Sequence, residues 1–223
     1  MTFSLIARCA QTGQFGMVIS SSSPAVAARC SHTRAGVGAV ASQNITDPEL
    51  GPLLLDAMAG GLTALEAMEQ ITVARPFIEY RQLLAIDRAG GTAIHSGGNV
   101  LGLWGEAHGK DCAAGGNLLA TTEIPTIMTA TFEAAEGHLG DRLMAALEAG
   151  LAVGGEAGPV HSAGLQIADT LSWPLVDLRI DWSDTPLADL RAAWDVYRPQ
   201  MAAYVTRALD PTEAPSYGVP GDA

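Results

Sequence analysis

The sequence predicts one α+β domain in which two β-sheets stack face to face and helices lie outside them. Three observations carry this expectation. Predicted strands and helices come in blocks, whereas single alternating elements would signal a doubly wound parallel sheet. The 223 residues suffice for one core of ordinary size. Nearly half are apolar and only 16% are charged, with no internal repeat, linker or low-complexity segment to divide them. The domain is expected to span residues 1–209, followed by a Pro/Gly-rich tail over 210–223.

The chain opens on a strand, Phe3-Ser4-Leu5-Ile6-Ala7, then a tight turn at Thr12-Gly13-Gln14 and a second strand over 15–21. Ser20-Ser21-Ser22-Ser23-Pro24 ends that strand. A third strand is predicted over 34–41, where small residues and glycines imply close packing of other backbone. Asp47-Pro48 caps a helix with proline at its first position, and Leu50, Leu53, Leu54, Ala57 and Met58 form its apolar stripe. After Gly60-Gly61, Thr63-Ala64-Leu65-Glu66 has the spacing of a capping box and opens a second helix. Strands over 80–87 and 92–96 form a hairpin through Ala89-Gly90-Gly91. A Gly-rich stretch with Trp104 and His108 leads to a strand over 113–119. Helices follow over 124–136 and 141–151, then strands over 160–168 and 175–181. A last helix over 186–207 is interrupted at Pro199.

The net charge of −12, with Lys110 the sole lysine, argues against a nucleic-acid or anionic-membrane surface, which would need a basic patch. Cys9, Cys30 and Cys112 are odd in number and widely spaced, which argues for reduced thiols and a cytoplasmic protein. No basic start precedes an apolar run, and no uncharged apolar stretch approaches ~18 residues, so neither signal peptide nor membrane span is expected. Cys30 and His32 lack a second ligand pair at a zinc-like spacing. No metal or cofactor is expected.

Thr2 is the leading chemical candidate. A threonine that opens an N-terminal strand supplies both halves of a nucleophilic device once Met1 is removed: the hydroxyl attacks, and the freed α-amine, with a pKa of ~8, takes the proton. The end of the second strand lies beside it, so Ser20, Ser21 and Ser22 are candidates to orient it. Serines there also suit a polar exit from a sheet. In Gly115-Gly116-Asn117, glycine permits close approach of a substrate and the asparagine amide suits an oxyanion; a turn-forming asparagine explains the same residues. The loop Gly154-Gly155-Glu156-Ala157-Gly158-Pro159-Val160-His161-Ser162 carries a carboxylate, an imidazole and a hydroxyl, and reads equally as a catalytic or a surface loop. It lacks the ending of a phosphate-binding loop. Arg34, Arg81 and Arg179 are expected in ion pairs with Asp87, Asp177 and Asp181. An arginine aimed into a cleft would instead hold a substrate carboxylate.

Taken together, these residues resemble the DUF1028 family, placed among the Ntn-hydrolase-like folds. The resemblance covers roughly residues 2 to 195 and rests on Thr2-Phe3-Ser4-Leu5-Ile6-Ala7-Arg8, the segment from Arg34 to Gln43, Arg81-Gln82, Gly116-Asn117-Leu118-Leu119, Gly154-Gly155-Glu156, Ser162-Ala163 and Asp177-Leu178-Arg179-Ile180-Asp181. It implies a four-layer αββα sandwich and amide hydrolysis by an N-terminal nucleophile, here Thr2. The family's glycine loop often reads Gly-Gly-Asp-x-Arg-Gly-x-Gln-Ser. This chain has Glu156, Ala157 and His161 where that aspartate, arginine and glutamine stand.

The function expected is hydrolysis of an amide or cyclic-amide C–N bond in a small molecule. Thr2 attacks, Asn117 holds the oxyanion, and Ser20, Ser22 and Gln43 orient the nucleophile. Arg34 or Arg81 binds a substrate carboxylate, with Gly116, Glu156 and Ser162 lining the site. The alternative is a binding or assembly protein that keeps the fold without a working nucleophile. A hydrolase built on His161 and Ser162 is disfavoured because neighbours in a strand face opposite ways. A homodimer is expected.

Overall fold

The computed structural model describes residues 1–219. It is a mixed α+β molecule with two antiparallel sheets. The strands are β1 (Thr2–Arg8), β2 (Phe15–Ser21), β3 (Ser31–Arg34), β4 (Gly38–Asn44), β5 (Arg81–Asp87), β6 (Thr92–Ser96), β7 (Gly105–Gly109), β8 (Cys112–Asn117), β9 (Ser162–Ala168) and β10 (Val176–Ile180). One sheet runs β10-β9-β2-β1-β8-β7 and the other β3-β4-β5-β6. The helices are α1 (Val26–Cys30), α2 (Leu50–Ala59), α3 (Ala64–Ala74), α4 (Ile124–Ala134), α5 (Leu139–Ala152), α6 (Pro186–Tyr197) and α7 (Met201–Leu209).

Strand β1 is buried on both faces, and its alternation decides which core each side chain joins. Phe3, Leu5 and Ala7 enter an apolar cluster with α4, α5 and α6 residues such as Met128, Leu143 and Trp194. Ile6 enters a second cluster with Met17, Ile19, Ala39, Ala41, Leu84 and Ile86, drawn from both sheets. A third cluster joins Val40, Leu83 and Ala85 of the smaller sheet to Leu50, Leu54, Met58 and Met68 of α2 and α3. On β1 the even-numbered residues therefore face the other sheet. The same face of β4 and β5 carries Gln43 and Gln82.

The expected capping box forms: the Thr63 hydroxyl accepts from the Glu66 N–H at 3.2 Å, and the Thr63 N–H donates to Glu66 Oε2 at 2.8 Å. Pro199 lies in a 3-10 turn, Arg198–Gln200, between α6 and α7. Past α7 the chain makes one 3-10 turn at Pro211–Glu213, and residues 220–223 of the expected tail lie outside the described residues. Residues 26–34 depart from expectation, since α1 and β3 precede β4 there. Strand β7 also forms where only a Gly-rich stretch is legible. Both unforeseen strands are short, polar sheet edges, Ser-His-Thr-Arg and Gly-Glu-Ala-His-Gly, with no apolar alternation to betray them.

Candidate functional site

The space between the sheets changes character along its length. Toward the β1–β2 turn it is filled by Ile6, Phe15, Met17, Ala39 and Ile86. Toward the chain start the same strand faces present Thr2, Ser4, Ser21, Gln43, Gln82 and Asn117, all at most 5% exposed. Buried polar groups are costly without hydrogen-bond partners, and most of these side-chain atoms have one. Ser4 Oγ donates to Gln43 Oε1 at 2.7 Å, and Gln43 Nε2 donates to Gln82 Oε1 at 2.9 Å. Asn117 Nδ2 reaches the same Gln82 Oε1 at 3.2 Å. Gln82 Nε2 serves Ser96 Oγ at 3.0 Å and the Gly116 carbonyl at 3.2 Å. Asn117 Oδ1 is buried with no hydrogen-bond partner.

Thr2 sits at the end of this network, directly across the sheet from Asn117. Its hydroxyl donates to the Met1 carbonyl and lies 3.4 Å from Ser21 Oγ. Ser21 Oγ donates to the same carbonyl at 2.5 Å, and lies 2.8 Å from Ser23 Oγ. Arg29 reaches Ser23 Oγ at 3.2 Å and the Pro24 carbonyl at 3.0 Å. Beside this group Glu156 is 3% exposed and accepts from the Ser22 N–H through both carboxylate oxygens, at 3.2 and 3.0 Å. Burial pushes its carboxyl up to about 7, partly offset by the charge of the Met1 amino group and by hydrogen bonds from Ser22. Glu156 is brought here by a bridge to Leu119, just past β8. The segment 97–104 crosses from β6 to β7 at this end, accepting from the Leu118 N–H at 2.9 Å and the Leu119 N–H at 2.8 Å through Leu101 and Leu103.

Several expected site residues lie elsewhere. Ser20 pairs with Phe3 and, being one step from Ser21, points to the helix side, donating to the Ser162 carbonyl at 3.0 Å. Ser22 serves Glu156 rather than Thr2. Ser162 Oγ donates to the Ser23 carbonyl at 2.6 Å and accepts from the Val26 N–H at 3.2 Å, so it fixes the entry to α1. Gln43 reaches Ser4, one strand period beyond Thr2. The bare face of Gly116 is already filled, for a Cβ there would lie 2.6 Å from Leu119 Cδ2 and 3.1 Å from the Thr2 carbonyl. Arg34 pairs with Asp56 at 2.7 Å, at the Gly38 end of β4, whereas the polar cluster is at its Gln43 end. Arg81 alternates with Gln82 and so points away from Thr2, donating to the Ile45 carbonyl. Asp87 does not pair with arginine; it accepts from the Ala64, Ala89 and Gly91 N–H groups. The expected Arg179–Asp177 pair does form, at 2.7 Å. His161 stacks on Trp182 at 4.4 Å and faces the Ser183 carbonyl at 3.1 Å, apart from Ser162's partners.

Ser21 is thus the hydroxyl that meets Thr2. The hairpin register contains the signal: Arg8 pairs with Phe15 and Phe3 with Ser20, so one further step sets Thr2 against Ser21. Arg29 and the contact between Ser22 and Glu156 have no such local signal. Among the described residues, no group of three or more His, Cys, Asp or Glu could hold a metal ion, and no helix is long and apolar enough to cross a membrane.

A family model described as "Family of unknown function (DUF1028)" matches residues 2–190. The chain is similar to the crystal structure of a DUF1028 protein from Silicibacter pomeroyi, with a TM-score of 0.82 and 27% identity over 88% of each chain. A slighter likeness, TM-score 0.39 and 11% identity over 91% of this chain and 97% of the other, is to Anbu, an ancestral β-subunit, from Yersinia bercovieri. That likeness is too weak to carry an argument. No curated protein matches the sequence.

Proposed function

The chain belongs to the DUF1028 family, whose function is unknown, and on that premise we propose that it is an N-terminal-nucleophile hydrolase of a C–N bond in a small molecule. The observation that carries the reading is the Thr2 hydroxyl, 3.4 Å from Ser21 Oγ on the wall between the sheets, with both hydroxyls turned to the one carbonyl ahead of it. With Met1 removed, Thr2 Oγ adds to the substrate carbonyl carbon and its proton passes to the α-amine. That amine then protonates the departing nitrogen as the C–N bond breaks, leaving an ester on Thr2. Water, deprotonated by the same amine, releases the acid and restores the hydroxyl. Ser21 positions the pair, and the Asn117 amide supplies a donor to the oxyanion.

The same reading orders the molecule as a four-layer αββα sandwich; the three apolar clusters support it. A cytoplasmic homodimer belongs to it as well, supported by three free, buried cysteines and by exposed Leu101, Leu103 and Trp104 beside the site.

The test compares chains that begin at Thr2 with chains that keep Met1, their starts verified by intact mass, on a panel of linear and cyclic amides. Turnover confined to the former, and lost in Thr2→Ala, supports the proposal. Equal turnover by the Met1-bearing chain, or its survival in Thr2→Ala, defeats it. A second reading, a binding or assembly protein without a working nucleophile, is favoured by the 5% exposure of Thr2 while Met1 covers it. It predicts no turnover from either chain start.

A further inference from the structure

At the far end of β1 from Thr2, an open cavity of about 560 Å³ lies among the chain just past Arg8, the β7–β8 turn and the α4–α5 junction. Its size suits a small organic ligand. Three cations, Arg8, Lys110 and Arg142, border it together with three carboxylates, Asp111, Glu133 and Glu136. Opposite charges that share one cavity ordinarily close on one another. Only Arg8 and Asp111 do so here, at 3.2 Å. Among the described residues, none of the other four takes part in an ion pair.

The fold holds these charges apart. Glu133 Oε1 is turned to the backbone, where it accepts from the Lys110 N–H at 2.7 Å. Gly109 makes room for it, since a Cβ there would stand 2.5 Å from the same oxygen. The Lys110 ammonium is left without a carboxylate. The Arg142 guanidinium carbon lies 4.0 Å from the Phe132 ring centroid, and its Nη2 donates to the Phe132 carbonyl at 3.2 Å. Its Nε is buried with no acceptor. A ring face and one carbonyl leave that cation its full charge.

We propose that this cavity binds a small zwitterion, a short peptide with free ends, whose carboxylate meets Lys110 and Arg142 and whose ammonium meets Glu133 and Glu136. A free anion would approach against the chain's net charge of −12. A free cation would leave Lys110 and Arg142 without a partner. A ligand that carries both charges satisfies both pairs and adds no net charge. The cavity and Thr2 lie at opposite ends of β1, so this site stands or falls apart from the nucleophile.

The test is calorimetric titration of trialanine, trialanine amide and N-acetyltrialanine into the chain that keeps Met1, in which Thr2 is covered. Blocking either end should weaken binding about tenfold. Lys110→Gln and Arg142→Gln should each cut the preference for the free carboxylate, and Glu136→Gln that for the free amine. Lys110 and Glu136 are exposed, so their variants serve where Arg142→Gln does not fold. In NMR spectra, trialanine should shift the amide signals of Gln11, Lys110 and Gly137 and leave those of Ser4 and Asn117 in place. No binding of trialanine, or equal binding of either blocked form, overturns the proposal. So do preferences indifferent to Lys110→Gln and Glu136→Gln, or shifts confined to the Asn117 end.

Discussion

The two ends of the space between the sheets are built from the same strands, on the same faces, and buried to the same degree, yet they hold opposite chemistry. At one end Ile6, Phe15, Met17 and Ile86 fill it. At the other, Ser4, Gln43, Gln82 and Asn117 are tied in a chain of hydrogen bonds that leaves Asn117 Oδ1 unsatisfied. Burial of apolar surface stabilises a fold directly, whereas a buried polar network contributes little net stability and is costly wherever it is incomplete. The apolar end thus holds the two sheets together. The polar end gives up some of that cohesion, and what it gains is a set of fixed donors and acceptors around Thr2.

The sharpest way to break this comparison is at the apolar end. Ile6→Ala or Met17→Ala should cost roughly 2–5 kcal/mol, read from denaturant unfolding, without altering the chemistry of the molecules that remain folded. A loss below about 1 kcal/mol would mean that this end is not the anchor described. Next in size is Glu156. Its carboxyl sits at about 7 against an ordinary value of 4.5, so the unfolded chain releases that proton first. Between those limits the folded state holds more protons, and stability falls as pH rises, by on the order of 3 kcal/mol in all, levelling off above about 7. In the Met1-bearing chain Glu156→Gln should flatten this dependence, measured as unfolding free energy between pH 4.5 and 8; an unchanged slope would place the cause elsewhere.

The polar network comes third. Gln82→Leu leaves donors on Gln43 and Asn117 without their shared acceptor and should cost about 1–3 kcal/mol. The double variant with Gln43→Leu should cost less than the sum of the singles, since it removes both partners of one bond; strict additivity would argue against a coupled network. Smallest of all, Arg34→Ala, which breaks an exposed pair with Asp56, should change stability by under about 1 kcal/mol and leave any turnover untouched. A loss of substrate affinity there would restore the arginine clamp expected from sequence.

Most strands were legible as apolar runs between turn signals, though not their faces, since β1 and β2 are buried on both sides; α3 was legible because its capping box is local. That β1 and β8 are neighbours, which sets Thr2 against Asn117, is shown by the structure and by no local pattern in the sequence. The four serines show where reading stops being local. Ser20, Ser21 and Ser22 are equivalent by composition, and only the pairing of Arg8 with Phe15 decides that Ser21 faces Thr2. The arginines are harder still, because a long side chain at a strand end finds whatever carboxylate or carbonyl the fold brings near. Asp56 and the Ile45 carbonyl come from α2 and the segment ahead of it. Glu156 meets Ser22 across 134 residues of sequence, through a bridge of Leu119 and Glu156 that no periodicity announces.

The claim on which the account depends is that the polar end exists to present Thr2 Oγ as an attacking atom. A β-lactone electrophile, incubated with the chain that begins at Thr2 and traced by peptide mass spectrometry, tests it most directly. The account predicts a stoichiometric ester on Thr2, absent from the Met1-bearing chain and formed far more slowly in Ser21→Ala. Modification that falls on Cys9 or another side chain while Thr2 stays free would contradict it.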